Sequence, residues 1–459
     1  MSKVLNSINL DKSYKYVEKL DDNFEIKFKL ILKKNTTPQE KTFLEYFLRQ
    51  NKIQKKLIND IFCDASGTCK DICKIFNTEI NLFKKDNKTY FSDINNLTIP
   101  QELYFISNII GLNNIPKYKP FYKINNEKNT KGYTPVQIGE FYDFPFQFRG
   151  SNRVISIIQL GGGFRQKDLD YYFLQFLNLD TRPQVLYYTI NGAKNDPDSP
   201  DSGEVYLDIE TAGAIAKCSL IIVYFAPNND LGFYEAIYFA MNNLNYSIPT
   251  AISISWGSSE RYNSTAYMES MNDLFGIARK YNINIFCASG DDGSSDGAPG
   301  LNVDFPASCP NGIGCGGTTM IVKDNKLIEE VVWPGSGGGF SKIFPAPEYQ
   351  KLIGGTRGVP DIAGNADPST GYIIYINGKF SIVGGTSAVA PLYAGLTALI
   401  SEAKGSTPYL NPTIYSFPKE ICYDVTKGSN GPNGKWDAKV GWDPCTGNGR
   451  IYGDKLLLY

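Results

Sequence analysis

From about residue 133 onward, short continuous apolar runs alternate with longer stretches of helical texture. The runs Val154–Leu160, Ser219–Phe225, Thr250–Trp256 and Asn284–Ala288 read as strands. Gly203–Ala216, Gly232–Asn243 and Tyr267–Tyr281 read as helices. This alternation predicts an α/β domain built around a parallel sheet. A Gly-rich, less regular stretch follows from Gly312 to Gly339, then an apolar helix after Ser387 and a turn-rich C-terminus. Residues 1 to about 120 have a different texture: polar and Lys-rich, with helical patterns, notably around Pro38–Asp60, and two Pro-punctuated stretches. The polar segment Asn125–Gly132 reads as an exposed linker. The chain therefore divides into residues 1–124, a linker at 125–132 and a larger domain at 133–459, with no internal repeat.

Composition narrows the function classes. An apolar share of 42% is ordinary for a globular chain, and the length of 459 residues suits two or three domains. The formal net charge of −1 gives no reason to expect nucleic acid or an anionic membrane as partner, and a monomer is expected. The longest apolar stretches, near Leu220–Pro227 and Ser387–Ile400, fall short of a membrane span. The first residues, Met1-Ser2-Lys3-Val4-Leu5-Asn6-Ser7, lack the apolar core of a secretory signal. Nine cysteines are an odd number, so at least one is unpaired within the chain. Cys309 and Cys315 are near enough in sequence to pair. Cys63, Cys69 and Cys73, without any histidine, make a poor zinc set.

The absence of histidine changes the reading of one serine. Ser387 lies in Gly384-Gly385-Thr386-Ser387-Ala388-Val389-Ala390-Pro391, a Gly-rich turn that delivers a hydroxyl to the start of an apolar helix. A serine hydroxyl attacks an amide only when a neighbouring base takes its proton. Here that base has to be a carboxylate, a lysine or an amine. Asp201-Ser202-Gly203-Glu204 has the form of a helix start, with a capping side chain three residues before a glutamate. Glu204 and Asp208 then lie about one turn apart on one face. Two adjacent carboxyls repel and share a proton, so one can act as base while the other polarises it. Taken alone, the pair also fits a solvated helix face, and Gly290-Asp291-Asp292-Gly293 an acidic turn after a strand. Gly161-Gly162-Gly163 lacks the continuation of a phosphate-binding loop.

Five blocks in order resemble the sedolisin (serine-carboxyl peptidase) family: Gly203-Glu204-Val205-Tyr206-Leu207-Asp208-Ile209-Glu210, Tyr224-Phe225-Ala226-Pro227, Ser253-Ile254-Ser255-Trp256-Gly257, Ser289-Gly290-Asp291-Asp292-Gly293 and Gly384-Gly385-Thr386-Ser387-Ala388. Tyr133-Thr134-Pro135-Val136-Gln137 and Phe141-Tyr142-Asp143-Phe144-Pro145 are similar to the start of the family's mature enzymes. The resemblance implies a subtilisin-like, doubly wound, mostly parallel sheet preceded by an α+β prosegment. It implies Ser387 as nucleophile, Glu204 as general base, Asp208 as the group orienting it, and Asp291 as the oxyanion-hole residue. An aspartate serves an oxyanion only when protonated, which implies activity at acidic pH. In place of a further acid that family members carry before the Gly run, this chain has Gln159; Trp256 matches a tryptophan packed nearby.

The C-terminal segments Asp424-Val425 and Lys439-Val440-Gly441-Trp442-Asp443-Pro444 resemble the family's calcium loop. The implied ligands of one structural calcium ion are the Asp424 and Asp443 carboxylates and the carbonyls of Val425, Lys439 and Gly441. The resemblance also implies a polypeptide substrate and self-cleavage between Tyr122 and Tyr133. The expected activity is that of an acid-acting endopeptidase, with tripeptidyl-peptidase action or a catalytically silent relative as alternatives.

Overall fold

Val154-Ile155-Ser156-Ile157-Ile158-Gln159 and Leu220-Ile221-Ile222-Val223-Tyr224-Phe225 run side by side in parallel, from Val154 opposite Leu220 to Gln159 opposite Phe225. Strands covered on both faces carry continuous apolar runs, and Val154–Gln159 is buried throughout. The structure, a computed structural model, describes residues 3–5, 13–93, 95–125, 131–243, 245–431 and 436–459. It resolves into two compact units. The larger comprises Tyr118–Pro227, Glu235–Arg261 and Asn272–Tyr459; the smaller comprises Met1–Lys117, Asn228–Tyr234 and Tyr262–Met271.

The larger unit is organised by an eight-stranded sheet in the order Gln184–Thr189, Leu220–Phe225, Val154–Gln159, Ala251–Ile254, Asn284–Ala288, Ile313–Lys323, Lys326–Val332, with Ile362–Asn365 also paired to Ile313–Lys323. All these pairings are parallel except the last hairpin, Ile313–Lys323 with Lys326–Val332. The expected doubly wound, mostly parallel sheet is therefore present. Val154–Gln159 has its sequence successors on both sides, so a crevice opens at the carboxyl ends of the central strands. Gln159 ends one of them, and Ser255 follows another.

Two helices cover the sheet and meet. Ser202–Ile215 is buried at every position, as is Val389–Lys404 up to Ser401. A helix apolar all round belongs in a core. Gly395 lets the two approach: a Cβ there would stand 2.8 Å from the Ile215 Cβ. The solvated-face reading of Glu204 and Asp208 is thus excluded, since both are fully buried. The helix does start where expected, but Asp201 occupies the cap position without a side-chain capping bond.

The smaller unit is α+β. Its four-stranded antiparallel sheet has the order Gln54–Ile58, Phe62–Thr68, Glu25–Leu32, Ile106–Ile110. Phe28, Leu30, Leu44, Leu48, Ile72 and Phe76 form part of its core. The helical pattern read over Pro38–Asp60 stops at Gln50; the helix Pro38–Gln50 is opened by a Thr37–Glu40 capping box. Gln54–Ile58 is instead a Lys-bearing edge strand, where pairing with Phe62–Thr68 overrides local helical preference. All nine cysteines are free thiols, Cys309 and Cys315 among them. Among the described residues no helix is long and apolar enough to cross a membrane.

Candidate active site

The buried helix Ser202–Ile215 carries Glu204 and, one turn on, Asp208 into the crevice. Ser387 enters on the turn Thr386–Ala388 that leads into Val389–Lys404. Its Oγ donates to Glu204 Oε2 at 2.9 Å. Asp208 lies deeper. Its Oδ1 accepts from the Ser255 hydroxyl at 2.7 Å, and its Oδ2 from the Gln159 amide at 2.7 Å. The amide is held in turn, because Trp256 Nε1 donates to Gln159 Oε1 at 2.8 Å. Gln159 therefore fills the position of the missing acid as a donor rather than as a proton carrier.

Burial governs the protonation of these groups. It pushes Glu204 well above the usual carboxylate range, and the adjacent Asp208 pushes it further. Burial raises Asp208 to about 8, against the donors Ser255, Gln159 and Glu204, which favour its charge. Both carboxyls are thus biased toward their protonated forms, and the two titrate as one coupled pair. In the singly protonated form of the pair, with the proton on Asp208, ionised Glu204 is free to take the proton that leaves Ser387.

Asp291 is also fully buried, and burial raises it to about 7. Its Oδ1 accepts from the Thr386 N–H at 2.8 Å and from the Thr386 hydroxyl at 3.0 Å. Its Oδ2 faces Gly385, where a Cβ would stand 2.6 Å from it. That glycine has φ +116°, a conformation closed to most side chains. In its neutral form Asp291 can donate a hydrogen bond at this point.

The cleft is filled by the chain's own backbone. Lys119 and Pro120 pair antiparallel with Gly257 and Trp256, and the Phe121 N–H donates to the Ser255 carbonyl at 3.1 Å. The Ser387 N–H donates to the Phe121 carbonyl oxygen at 3.0 Å. A Cβ at Gly385 would lie 2.2 Å from this same oxygen, so the Phe121 carbonyl and Asp291 Oδ2 crowd one point. Beyond it, Lys123 and Ile124 pair with Gly384 and Val383, and Tyr122 OH donates to the Pro200 carbonyl at 3.1 Å. The peptide unit seated on Ser387 is thus Phe121–Tyr122, one bond upstream of the expected interval between Tyr122 and Tyr133. Of the linker read at 125–132, residues 126–130 lie outside the described residues.

Sequence reading brought Ser387, Glu204, Asp208 and Asp291 to this crevice, and the structure assembles all four. It missed the work of Ser255 and Thr386, whose hydroxyls bond Asp208 and Asp291. Both stand inside quoted blocks, next to Trp256 and Ser387, and that adjacency was the available signal. Sequence reading also missed two buried carboxyls against the cleft glycines. A Cβ at Gly290 would meet Asp296, and one at Gly257 would meet Asp304. Burial holds both well above the usual range, with Lys119 as opposing cation.

The C-terminal loops bring Asp424 against Gly441 and Asp443 against Lys439. Asp424 Oδ2 accepts from the Gly441 N–H at 2.7 Å, and Asp443 Oδ2 from the Lys439 N–H at 3.2 Å. Asp443 and Val425 are buried, while Lys439 and Gly441 are exposed. Among the described residues no group of three or more Cys, His, Asp or Glu side chains gathers as a metal cage. A cation held here depends on backbone carbonyls beside the two carboxylates, an all-oxygen set that fits a hard ion.

Comparison with known proteins gives consistent results. Residues 190–416 match the Subtilase family model. The chain is 38% identical over 430 residues to kumamolisin of Bacillus sp. (strain MN-32), covering 85% of this chain and 77% of that protein. It is 29% identical over 335 residues to tripeptidyl-peptidase sed4 of Aspergillus fumigatus, covering 57% of this chain and 55% of that protein. A solved structure of Pseudomonas sedolisin, described as a serine-carboxyl proteinase complexed with pseudo-iodotyrostatin, superposes with a TM-score of 0.64. That match has 27% identity and covers 72% of this chain and 98% of sedolisin.

Proposed function

Because the chain belongs to the sedolisin family of serine-carboxyl peptidases, with a subtilisin-like fold and serine-peptidase activity on polypeptides, we propose that it is an acid-acting endopeptidase using Ser387, Glu204 and Asp208. The observation that carries this reading is the 2.9 Å bond from Ser387 Oγ to a buried Glu204 in a chain without histidine. Ser387 Oγ attacks the substrate carbonyl carbon while its proton passes to the ionised carboxyl of Glu204, with Asp208 carrying the pair's other proton. The developing oxyanion takes hydrogen bonds from the Ser387 N–H and from neutral Asp291. Collapse breaks the C–N bond, and the leaving amine takes the proton back from Glu204. Water then hydrolyses the acyl-enzyme by the same route.

The strand through the cleft supports self-processing at Phe121–Tyr122, since its carbonyl oxygen occupies the donor site that a substrate carbonyl needs. Endopeptidase action is favoured over tripeptidyl release because the chain runs on past Lys119, two residues before Phe121, with Tyr118 and Lys117. Asp424 and Asp443, with the carbonyls of Val425, Lys439 and Gly441, would hold one structural calcium ion that fastens the C-terminal loops. Peptide hydrolysis from about pH 3 to about pH 7 by the native chain and by Ser387→Ala tests the peptidase reading. An acidic maximum absent from Ser387→Ala is expected; equal rates, or a maximum at neutral pH, sink it.

A further inference from the structure

Past the residues that fill the cleft, strand pairing leads into an open aromatic pocket. Lys123 lies opposite Gly384 and Ile124 opposite Val383, and the Asn125 N–H donates to the Ile382 carbonyl at 2.8 Å. A polypeptide substrate cleaved at the Phe121 position would place its second, third and fourth residues after the cut against Gly384, Val383 and Ile382. Continued in register, its sixth residue lies opposite Phe380. Directly opposed residues of an antiparallel pair project to the same face.

That face is built from rings. Phe380 sits in the hairpin Tyr372–Ile376 with Lys379–Gly384, opposite Tyr375. Phe176 and Phe380 have ring centroids 4.6 Å apart, Tyr375 and Phe380 4.9 Å, and Tyr171 stacks on Tyr375 at 4.4 Å. Phe380 nevertheless remains 47% exposed and Tyr171 41% exposed. Beside them opens a pocket of about 490 Å³, lined by Ile124, Phe176, Ile373, Phe380, Ser381 and Ile382. It is continuous with the edge strand that already holds a peptide, and its walls are mostly apolar, with Asn125 and Ser381 as the polar members.

We propose that this pocket is an extended subsite that selects an aromatic or large apolar side chain at the sixth residue after the cleaved bond. The proposal rests on the peptidase reading above. A ring entering the pocket is desolvated against Phe176 and Phe380, while the backbone on either side is held by strand pairing with Lys379–Gly384. The same rings could instead serve only to brace the hairpin, and the two roles separate experimentally.

Three peptides carry Lys-Pro-Phe-Tyr-Lys-Ile-Asn. One ends there; two continue with Asn and then either Trp or Ser, placing Trp or Ser sixth after the Phe-Tyr bond. Each is incubated with the full-length chain at acidic pH, and cleavage is followed by chromatography. The Trp peptide is expected to exceed the Ser peptide about tenfold in kcat/KM, chiefly through KM, as burial of one ring implies. Phe380→Ser and, independently, Phe176→Ser are expected to bring that ratio near one. Hydrolysis of the short peptide with equal values for the two long ones overturns the subsite and leaves the peptidase reading standing. If none of the three is hydrolysed, both fall.

Discussion

The Ser387 backbone N–H donates to the Phe121 carbonyl oxygen at 3.0 Å, so the intended nucleophile residue already grips one particular peptide unit. Acid incubation of the purified chain is therefore expected to yield a new N-terminus at Tyr122. Ser387→Ala should stay intact under the same conditions. N-terminal sequencing decides: a cut only further downstream, or the same cut in Ser387→Ala, removes the proposed geometry of self-processing.

Asp291 is useful as a donor only while neutral. Burial raises it from the ordinary 3.8 to about 7, so the neutral form persists below about pH 7 and is lost as pH climbs through that value. Asp291→Ala is expected to lower kcat by about 10²–10³-fold, the loss typical of one oxyanion donor. Asp291→Asn keeps an N–H donor at every pH, so it should retain more activity than Asp291→Ala and lose the decline near pH 7. Full kcat–pH profiles of both variants provide the check. An Asn variant no better than Ala would show that donation is not the role of this side chain.

Gln159 stabilises the charged form of Asp208 by a 2.7 Å hydrogen bond. Gln159→Leu removes that donor, and the pair then gives up its proton only at higher pH. The acidic limb of the kcat–pH profile should move upward. Protonated Glu in Gln159→Glu can still donate to Asp208, so its shift in the acidic range should be smaller. Coincident limbs for native and Gln159→Leu protein would contradict this role.

Stability should fall as pH rises from about 4 to about 8. Asp208 at about 8, Asp291 at about 7 and Asp93 at about 7 all owe their raised values first to burial. Their unfolded values lie near 3.9. The folded chain therefore binds more protons across that window, and these groups' contribution, fully present below about pH 4, is lost as pH passes their folded values. Calorimetry of the Ser387→Ala chain, which avoids self-cleavage, measures the slope. Asp93→Asn should make it shallower; a midpoint that rises with pH would refute the assignment.

One calcium ion per chain is expected by direct metal analysis after dialysis. Chelation should lower the thermal midpoint, and added calcium should restore it. Asp424→Asn, which keeps the size of the side chain, should weaken binding and reduce the response to chelator. Absence of bound calcium, or a midpoint indifferent to chelator, counts against the C-terminal site.

The candidate quartet of Ser387, Glu204, Asp208 and Asp291 was legible because its residues sit in short blocks that follow one another in order along the sequence. The sheet was legible because Val154–Gln159 and Leu220–Phe225 are short, predominantly apolar runs. What escaped depends on distant partners. Gln54–Ile58 is a strand because Phe62–Thr68 pairs with it, although the helical pattern in the sequence runs on to Asp60. Asp208 finds donors on two different strand ends, at Gln159 and Ser255, which no local spacing encodes. The seat of Phe121 was hidden for the same reason: pairing with Trp256, Gly257 and Gly384 is a property of the folded sheet edges.

The strand that blocks the cleft is covalently part of the molecule it blocks. Release by its own Ser387 would therefore be a first-order event, whose half-time should not change on dilution. A thousandfold drop in concentration would slow attack between molecules but leave this cut untouched. Kinetic order thus separates a chain that opens itself from one opened by its neighbours.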